Sequence, residues 1–168
     1  MKKLIVINGS GTSGKDEVAR LSRVILGKKM KVITISSIDA VKDRALIFDW
    51  DGKKDDKGRR LLSDLKDSWT RYINGPFNDI IKKINGLDEK KDWLVYVHIR
   101  EPDEIRKLVE YYDDIITLLI QRDEVESFNN HADQEVCEYP YRFTIHNNGT
   151  LDELKEKVEC FLKVIKIL

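Results

Sequence analysis

Residues 9–15, Gly-Ser-Gly-Thr-Ser-Gly-Lys, combine glycines and a lysine in the spacing G-x-x-x-x-G-K. Residues of these types at this spacing hold phosphate. Glycine lets consecutive backbone N–H groups converge on one anion, in conformations that a Cβ would obstruct. Lys15 adds a point positive charge suited to the β- and γ-phosphates of a nucleoside triphosphate. An apolar run, residues 4–8, leads into the turn, and an amphipathic stretch, residues 16–26, leaves it. That strand-then-helix context argues against an ordinary glycine-rich turn. It also aims the unsatisfied N–H groups and positive dipole end of the helix at the same phosphates. The expected nucleotide contacts are Gly9, Ser10, Gly11, Thr12, Ser13, Gly14, Lys15, Asp16 and Glu17. Asp16 stands where such loops usually place a hydroxyl on Mg2+. Its carboxylate could hold the ion, directly or through water, or could do no more than cap the helix.

Moving a phosphoryl group demands aligned anions and neutralised charge more than covalent chemistry. Cations should therefore gather downstream, and the candidates are Lys42, Arg44, Lys57, Arg59, Arg60, Arg100 and Arg122. Arg100 follows an apolar run that reads as a central strand, and open α/β sheets place ligands beyond the carboxyl ends of their strands. Arg59 and Arg60 open a long helical pattern that could cover an acceptor. For each cation the plainer alternative is a solvated surface charge. Residues 121–141 carry Arg122 alone as a Lys or Arg, against Asp123, Glu124, Glu126, Asp133, Glu135 and Glu138. His98, at a strand end, is expected to be structural. His131 with Asp133 and Glu135 lacks metal-ligand spacing, so the only metal expected is the Mg2+ that accompanies ATP.

These residues must be carried by alternating strands and helices. Short apolar runs at residues 4–8, 31–35, 93–98, 115–120 and 143–145 are mostly β-branched and continuously apolar, as in parallel strands covered on both faces. Between them lie segments of helical period. Val18, Leu21, Val24 and Ile25 form one apolar face ending at Gly27. Ile38, Val41 and Leu46 suggest a helix starting near Ser37. After a charged, loop-like stretch at 50–57, Leu61, Leu62, Leu65, Trp69 and Ile73 mark a longer helix that Asn74-Gly75-Pro76 breaks. Phe77, Ile80, Ile81 and Ile84 continue it, and Pro102 opens another helix with Ile105, Leu108, Val109 and Tyr112. Thr150 with Glu153 is a capping-box pattern, ahead of a helix expected to bury Leu151, Leu154, Val158, Phe161 and Ile165. The expected architecture is one α/β domain over residues 1–168, with a five-stranded parallel sheet.

Composition bounds the rest. A chain of 168 residues can bury about 70% of its unfolded surface. Thirty Lys and Arg balance thirty Asp and Glu, so no global positive field favours a nucleic-acid partner. No run approaches the roughly 20 apolar residues of a membrane span. Cys137 and Cys160 form no CxxC pair and suit a reduced compartment. A cytoplasmic monomer or homodimer, with no membrane partner, is the expectation.

The Gly-Lys-Asp form of the loop resembles one branch of the nucleoside monophosphate kinase-like fold, that of the phage-type deoxynucleoside monophosphate kinases and animal-type phosphomevalonate kinases. Further matches are short. Ser36-Ser37-Ile38-Asp39-Ala40-Val41-Lys42 resembles the family's small-residue turn and the helix whose lysine lies near the acceptor. Residues 93–104, with Arg100 and Glu104, resemble its third strand and following loop. His131, Asp133, Glu135 and the Asn147-Asn148-Gly149-Thr150 turn resemble its closing segment. The resemblance implies a three-layer P-loop NTPase fold with a short lid over about 121–141. It further implies Mg-ATP over the loop, Asn147 close to the adenine, and a small phosphorylated acceptor held by Lys42, Arg59, Arg60 and Arg100. Lys15, Arg100 and Arg122 would be catalytic. The acceptor expected first is a (deoxy)nucleoside monophosphate, with phosphomevalonate or dephospho-coenzyme A as alternatives. A rival of another class is an ATP-binding sensor or regulatory module with little catalytic activity. A switch GTPase is disfavoured, because no Asn-Lys-x-Asp guanine-reading motif occurs.

Overall fold

The structure of the chain, a computed structural model, describes residues 1–123 and 138–168. Most of the expected lid, with Glu124, Glu126, His131, Asp133, Glu135 and Cys137, lies outside the described residues. Among the described residues there are five strands: β1 (Lys2–Asn8), β2 (Lys31–Ser36), β3 (Trp93–His98), β4 (Ile116–Gln121) and β5 (Phe143–His146). The described helices are α1 (Lys15–Leu26), α2 (Asp39–Ile47), α3 (Asp56–Ile73), α4 (Gly75–Asn85), α5 (Pro102–Tyr111) and α6 (Leu151–Val164). The strands make one parallel sheet in the order β2-β3-β1-β4-β5. β1 pairs with β3 through Lys2 to Ile7 and with β4 through Ile5 to Asn8, and β4 pairs with β5. The chain divides into two compact units, Met1–Thr34 with Asp88–Leu168 and Ile35–Leu87.

In the larger unit, strand residues alternate between two buried faces, which is why the runs read as continuously apolar. Ile5, Ile7, Tyr96, Leu118 and Ile145 meet Val18 and Leu21 of α1 and Leu154, Val158 and Phe161 of α6 in one core. Leu4, Val6, Val95 and Val97 point the other way and are buried too, as are Ile105 and Leu108 of α5. The first core holds one polar pair. The Tyr96 hydroxyl lies 2.8 Å from Ser22 Oγ, which itself donates to the Val18 carbonyl at 2.8 Å. Burial pushes the phenol pKa up, so Tyr96 keeps its proton and donates it to Ser22.

Helix faces differ from the expected ones at particular positions. On α1, Ser22 is buried where Val24 was expected, and Val24 is exposed. Two residues turn a helix by about 200°, so Val24 cannot share a face with Ser22. On α6, Leu151 is exposed, because the stripe that meets the sheet begins at Leu154. The capping box itself is present, Thr150 Oγ1 accepting from Glu153 N–H and Glu153 accepting from Thr150 N–H.

The smaller unit packs Val41, Ala45 and Leu62 with Ile38, Trp50, Leu61, Leu65 and Trp69. Two of its three described helices begin beside a carboxylate. Asp39 begins α2 and accepts from Ser36 N–H at 3.0 Å, two residues later than the start expected near Ser37. Asp55 caps α3 by accepting from Gly58 N–H at 2.8 Å, which draws Asp56 and Lys57 out of the expected loop into the helix. Leu46 and Ile73, expected on apolar faces, are exposed. None of the described helices is long and apolar enough to cross a membrane.

The two leucines of α6 offer a direct check. Leu154→Ala should cost about 2–5 kcal/mol in urea denaturation, whereas Leu151→Ala should change stability by less than about 0.5 kcal/mol.

Candidate active site

β1 runs through the middle of the sheet and delivers the chain to Gly9 at its carboxyl edge. Gly9 turns with φ +153°, and a Cβ there would sit 2.3 Å from the Ile120 carbonyl oxygen of β4 and 2.5 Å from Ser13 Oγ. Only glycine passes this point without displacing the strand next door. Thr12 takes a left-handed φ of 60°, and Ser13 N–H returns to the Ser10 carbonyl at 3.3 Å, closing the turn. Gly14 occupies the α1 N-cap with φ +105° and brings no capping side chain. The helical ladder begins with Val18 N–H on the Gly14 carbonyl, so the N–H groups of Lys15, Asp16 and Glu17 precede it. Those donors sit at the positive end of the helix dipole, an arrangement that binds anions.

Lys15 folds back over the turn. Its Nζ donates to the carbonyls of Gly9 at 2.6 Å and Ser10 at 2.7 Å, and lies 3.5 Å from Ser13 Oγ. The ammonium is thus held by the loop it closes. The neighbouring acids divide their roles. Glu17 is paired with Arg20, whose Nη2 is 2.6 Å away and whose hydrogen bonds hold the Glu17 carboxyl below its usual range. Asp16 is exposed in the first turn of α1. It is a hard oxygen donor beside the loop, and this fits it better than Glu17 to hold Mg2+.

Asn147, the residue expected close to an adenine, also braces the phosphate loop. Its Nδ2 donates to the Ser13 carbonyl at 2.8 Å, and its N–H donates to Gln121 at 2.7 Å. The same Nδ2 lies 2.4 Å from where a Gly14 Cβ would stand, a second reason for glycine there. Asn148 and Asp123 close the carboxyl ends of β4 and β5 with two hydrogen bonds, Asp123 N–H to Asn148 Oδ1 and Asn148 Nδ2 to Asp123 Oδ2. Arg122 lies within that closure and is exposed.

Arg100 is exposed just past β3, and Arg122 just past β4. The topology therefore sets one arginine on each side of β1, at the edge where the phosphate loop emerges. The other candidates belong to the smaller unit. Lys42 Nζ is 3.8 Å from Asp39 Oδ1. Arg59 and Arg60 are exposed in the first turns of α3, and Arg59 Nε donates to the Lys54 carbonyl at 2.8 Å. Arg44 stacks on Trp69 with its guanidinium carbon 3.6 Å from the ring centroid, and donates to the Ala40 carbonyl. That packing explains Arg44 without a ligand.

Two residues went unsingled in the sequence. Asn8 is 1% exposed; its Oδ1 accepts from Gly9 N–H at 2.8 Å, and its Nδ2 donates to the Arg100 carbonyl at 3.1 Å and the Tyr141 hydroxyl at 2.7 Å. The available signal was an amide ending an otherwise apolar strand, immediately before the glycine turn. Tyr141, in a segment without periodicity, gave none.

In sequence, no family model matches the chain, and neither does any curated protein. In structure, it is similar to the APS kinase CysC of Mycobacterium tuberculosis in complex with AMPPNP and APS, at TM-score 0.50 and 16% identity over 96% of this chain and 98% of that one. It is likewise similar to the shikimate kinase of Aquifex aeolicus, at TM-score 0.52 and 13% identity over 98% and 97% of the two chains. A sugar kinase from a Janibacter species matches at TM-score 0.51 and 13% identity over 99% and 97%. The fold is that of the P-loop kinases. At these identities the likeness concerns architecture, and the chain spans nearly the full length of each of these three structures.

The glycines distinguish close approach from mere presence. Gly9→Ala should destabilise by more than about 2 kcal/mol in chemical denaturation, because backbone rather than a flexible side chain blocks its Cβ. Gly11→Ala, with nothing within 4 Å of its Cβ, should stay within about 0.5 kcal/mol of the parent.

Proposed function

We propose that this chain is an ATP-dependent phosphotransferase that moves the γ-phosphoryl group of Mg-ATP onto a small phosphorylated acceptor. The observation that carries the reading is the loop of residues 9–15, its lysine held over the turn and its Gly9 and Gly14 packed too closely for a side chain. The arginines past β3 and β4 support transfer in addition to binding, since the migrating group needs positive charge on more than one side. In this reading Gly9 to Glu17 hold the triphosphate, Asp16 holds Mg2+, and Lys15, Arg100 and Arg122 neutralise the transferring group. Lys42, Arg59, Arg60 and Arg100 receive the acceptor, with all 168 residues acting as one catalytic domain whose lid covers about 121–141.

The substrates named for the similar structures, shikimate, APS and sugar, differ widely from one another, so the fold does not choose the acceptor. The Gly-Lys-Asp loop favours a (deoxy)nucleoside monophosphate, followed by phosphomevalonate and dephospho-coenzyme A. A second reading, an ATP-binding sensor with little turnover, is favoured by one observation. Residues 121–141 offer Arg122 as their only Lys or Arg.

An ADP-release assay across nucleoside and deoxynucleoside monophosphates, phosphomevalonate, dephospho-coenzyme A, shikimate and APS decides between them. Turnover is expected with a nucleoside monophosphate, and Lys15→Ala should lower kcat/KM by at least about 100-fold. Tight ATP binding without turnover on any acceptor would establish the sensor instead. For the metal, Asp16→Asn should raise the Mg2+ concentration needed for half-maximal activity several-fold. A capping role alone would lower Tm and leave that requirement unchanged.

A further inference from the structure

The Asn8 carboxamide is buried at the point where three distant stretches of the larger unit meet. Its assignment is unambiguous from its partners. Gly9 N–H can only donate and the Arg100 carbonyl can only accept, so Oδ1 must face Gly9 and Nδ2 must face Arg100. The second Nδ2 proton then goes to the Tyr141 hydroxyl at 2.7 Å. One side chain thereby ties the first residue of the phosphate loop to backbone 92 residues beyond Asn8 and to a hydroxyl 133 residues beyond it. Gly9 in turn presents its carbonyl to Lys15 Nζ at 2.6 Å. A continuous path of hydrogen bonds runs from Tyr141 through Asn8 and Gly9 to the lysine ammonium.

We propose that Asn8 is a positioning residue for phosphate binding, aligning Gly9 and hence Lys15, with the Tyr141 hydroxyl holding the Asn8 amide in its working orientation. This rests on the reading of residues 9–15 as a nucleotide site. Asn8 touches no phosphate in this scheme and acts through the glycine. The same amide fixes the main chain at Arg100, so the loop and the acceptor-side arginine are referred to one buried anchor. An apolar residue at position 8 would leave the Arg100 carbonyl and the Gly9 N–H without this partner. An aspartate would turn an oxygen toward the Arg100 carbonyl, with no proton to place between them. Removing the Tyr141 hydroxyl takes away one contact of the amide and leaves the ring in place.

Calorimetric titration of the full chain with Mg-ADP, read beside Tm measured without nucleotide, tests the proposal. Tyr141→Phe should weaken Mg-ADP about 3- to 5-fold with Tm within a few degrees of the parent, and Asn8→Asp should weaken it at least about 10-fold. In the Asn8→Ser background, Tyr141→Phe should add less than 2-fold, because the hydroxyl acts through the amide. Parent-like Mg-ADP affinity in Tyr141→Phe, whatever its Tm, overturns the proposal, as does full additivity of the two substitutions. If Asn8→Asp and Asn8→Ser do not fold, Tyr141→Phe alone still decides. A parent protein that binds no Mg-ADP removes the nucleotide reading and this inference together; a parent that binds beside unaffected variants removes the inference alone.

Discussion

The carboxyl edge of this molecule depends on the backbone passing Gly9 within contact distance of the Ile120 carbonyl. β1 is paired on both sides, by β3 and β4, so it cannot shift to make room for a turn. The chain must leave the sheet in a conformation that excludes a Cβ, and it then closes over Lys15 within seven residues. A steric constraint of this kind does two things at once. It forces glycine at the position, and it fixes where the N–H groups that follow are aimed.

Amide side chains brace that turn from two directions. Asn8 holds it from β1, through Gly9, and Asn147 holds it from just past β5, through Ser13. Carboxamides suit the task because each carries a donor and an acceptor without net charge, so they organise backbone next to a phosphate site without competing for the phosphate. Charge is left to Lys15 and to the exposed arginines past β3 and β4. Neutral amides, buried at Asn8 and half-buried at Asn147, hold the backbone while Arg100 and Arg122 stay exposed, and this division keeps desolvation costs low where the loop is packed most tightly.

The two compact units carry different parts of the proposed chemistry. The larger holds the phosphate loop, Arg100, Arg122 and both bracing amides. The smaller holds Lys42 on α2, and Arg59 and Arg60 on α3, whose start is capped by Asp55. The similar P-loop kinases share the architecture and differ in named substrate, which is the pattern expected when donor binding is a property of the loop and acceptor choice is a property of local side chains.

Much of this was legible in the residues themselves. The strands followed from continuous β-branched runs, since a strand covered on both faces has no polar side to interrupt the pattern. The loop followed from its glycine spacing, and the start of α6 from Thr150 and Glu153, because such signals are local and need no knowledge of distant neighbours. Helix faces were legible only in part. Val24 and Leu151 look apolar and yet face out, because the sheet they would have to meet selects a different stripe of the same helix. Strand order, the packing of Arg44 on Trp69 and the meeting of Asn8 with Arg100 and Tyr141 came from tertiary structure alone. Those partners lie from 25 to 133 residues apart in the chain. Local chemistry determined what kind of turn this chain builds after its first strand; only the folded sheet decided what surrounds and holds it, because contacts at that sequence distance leave no periodic trace in the residues that make them.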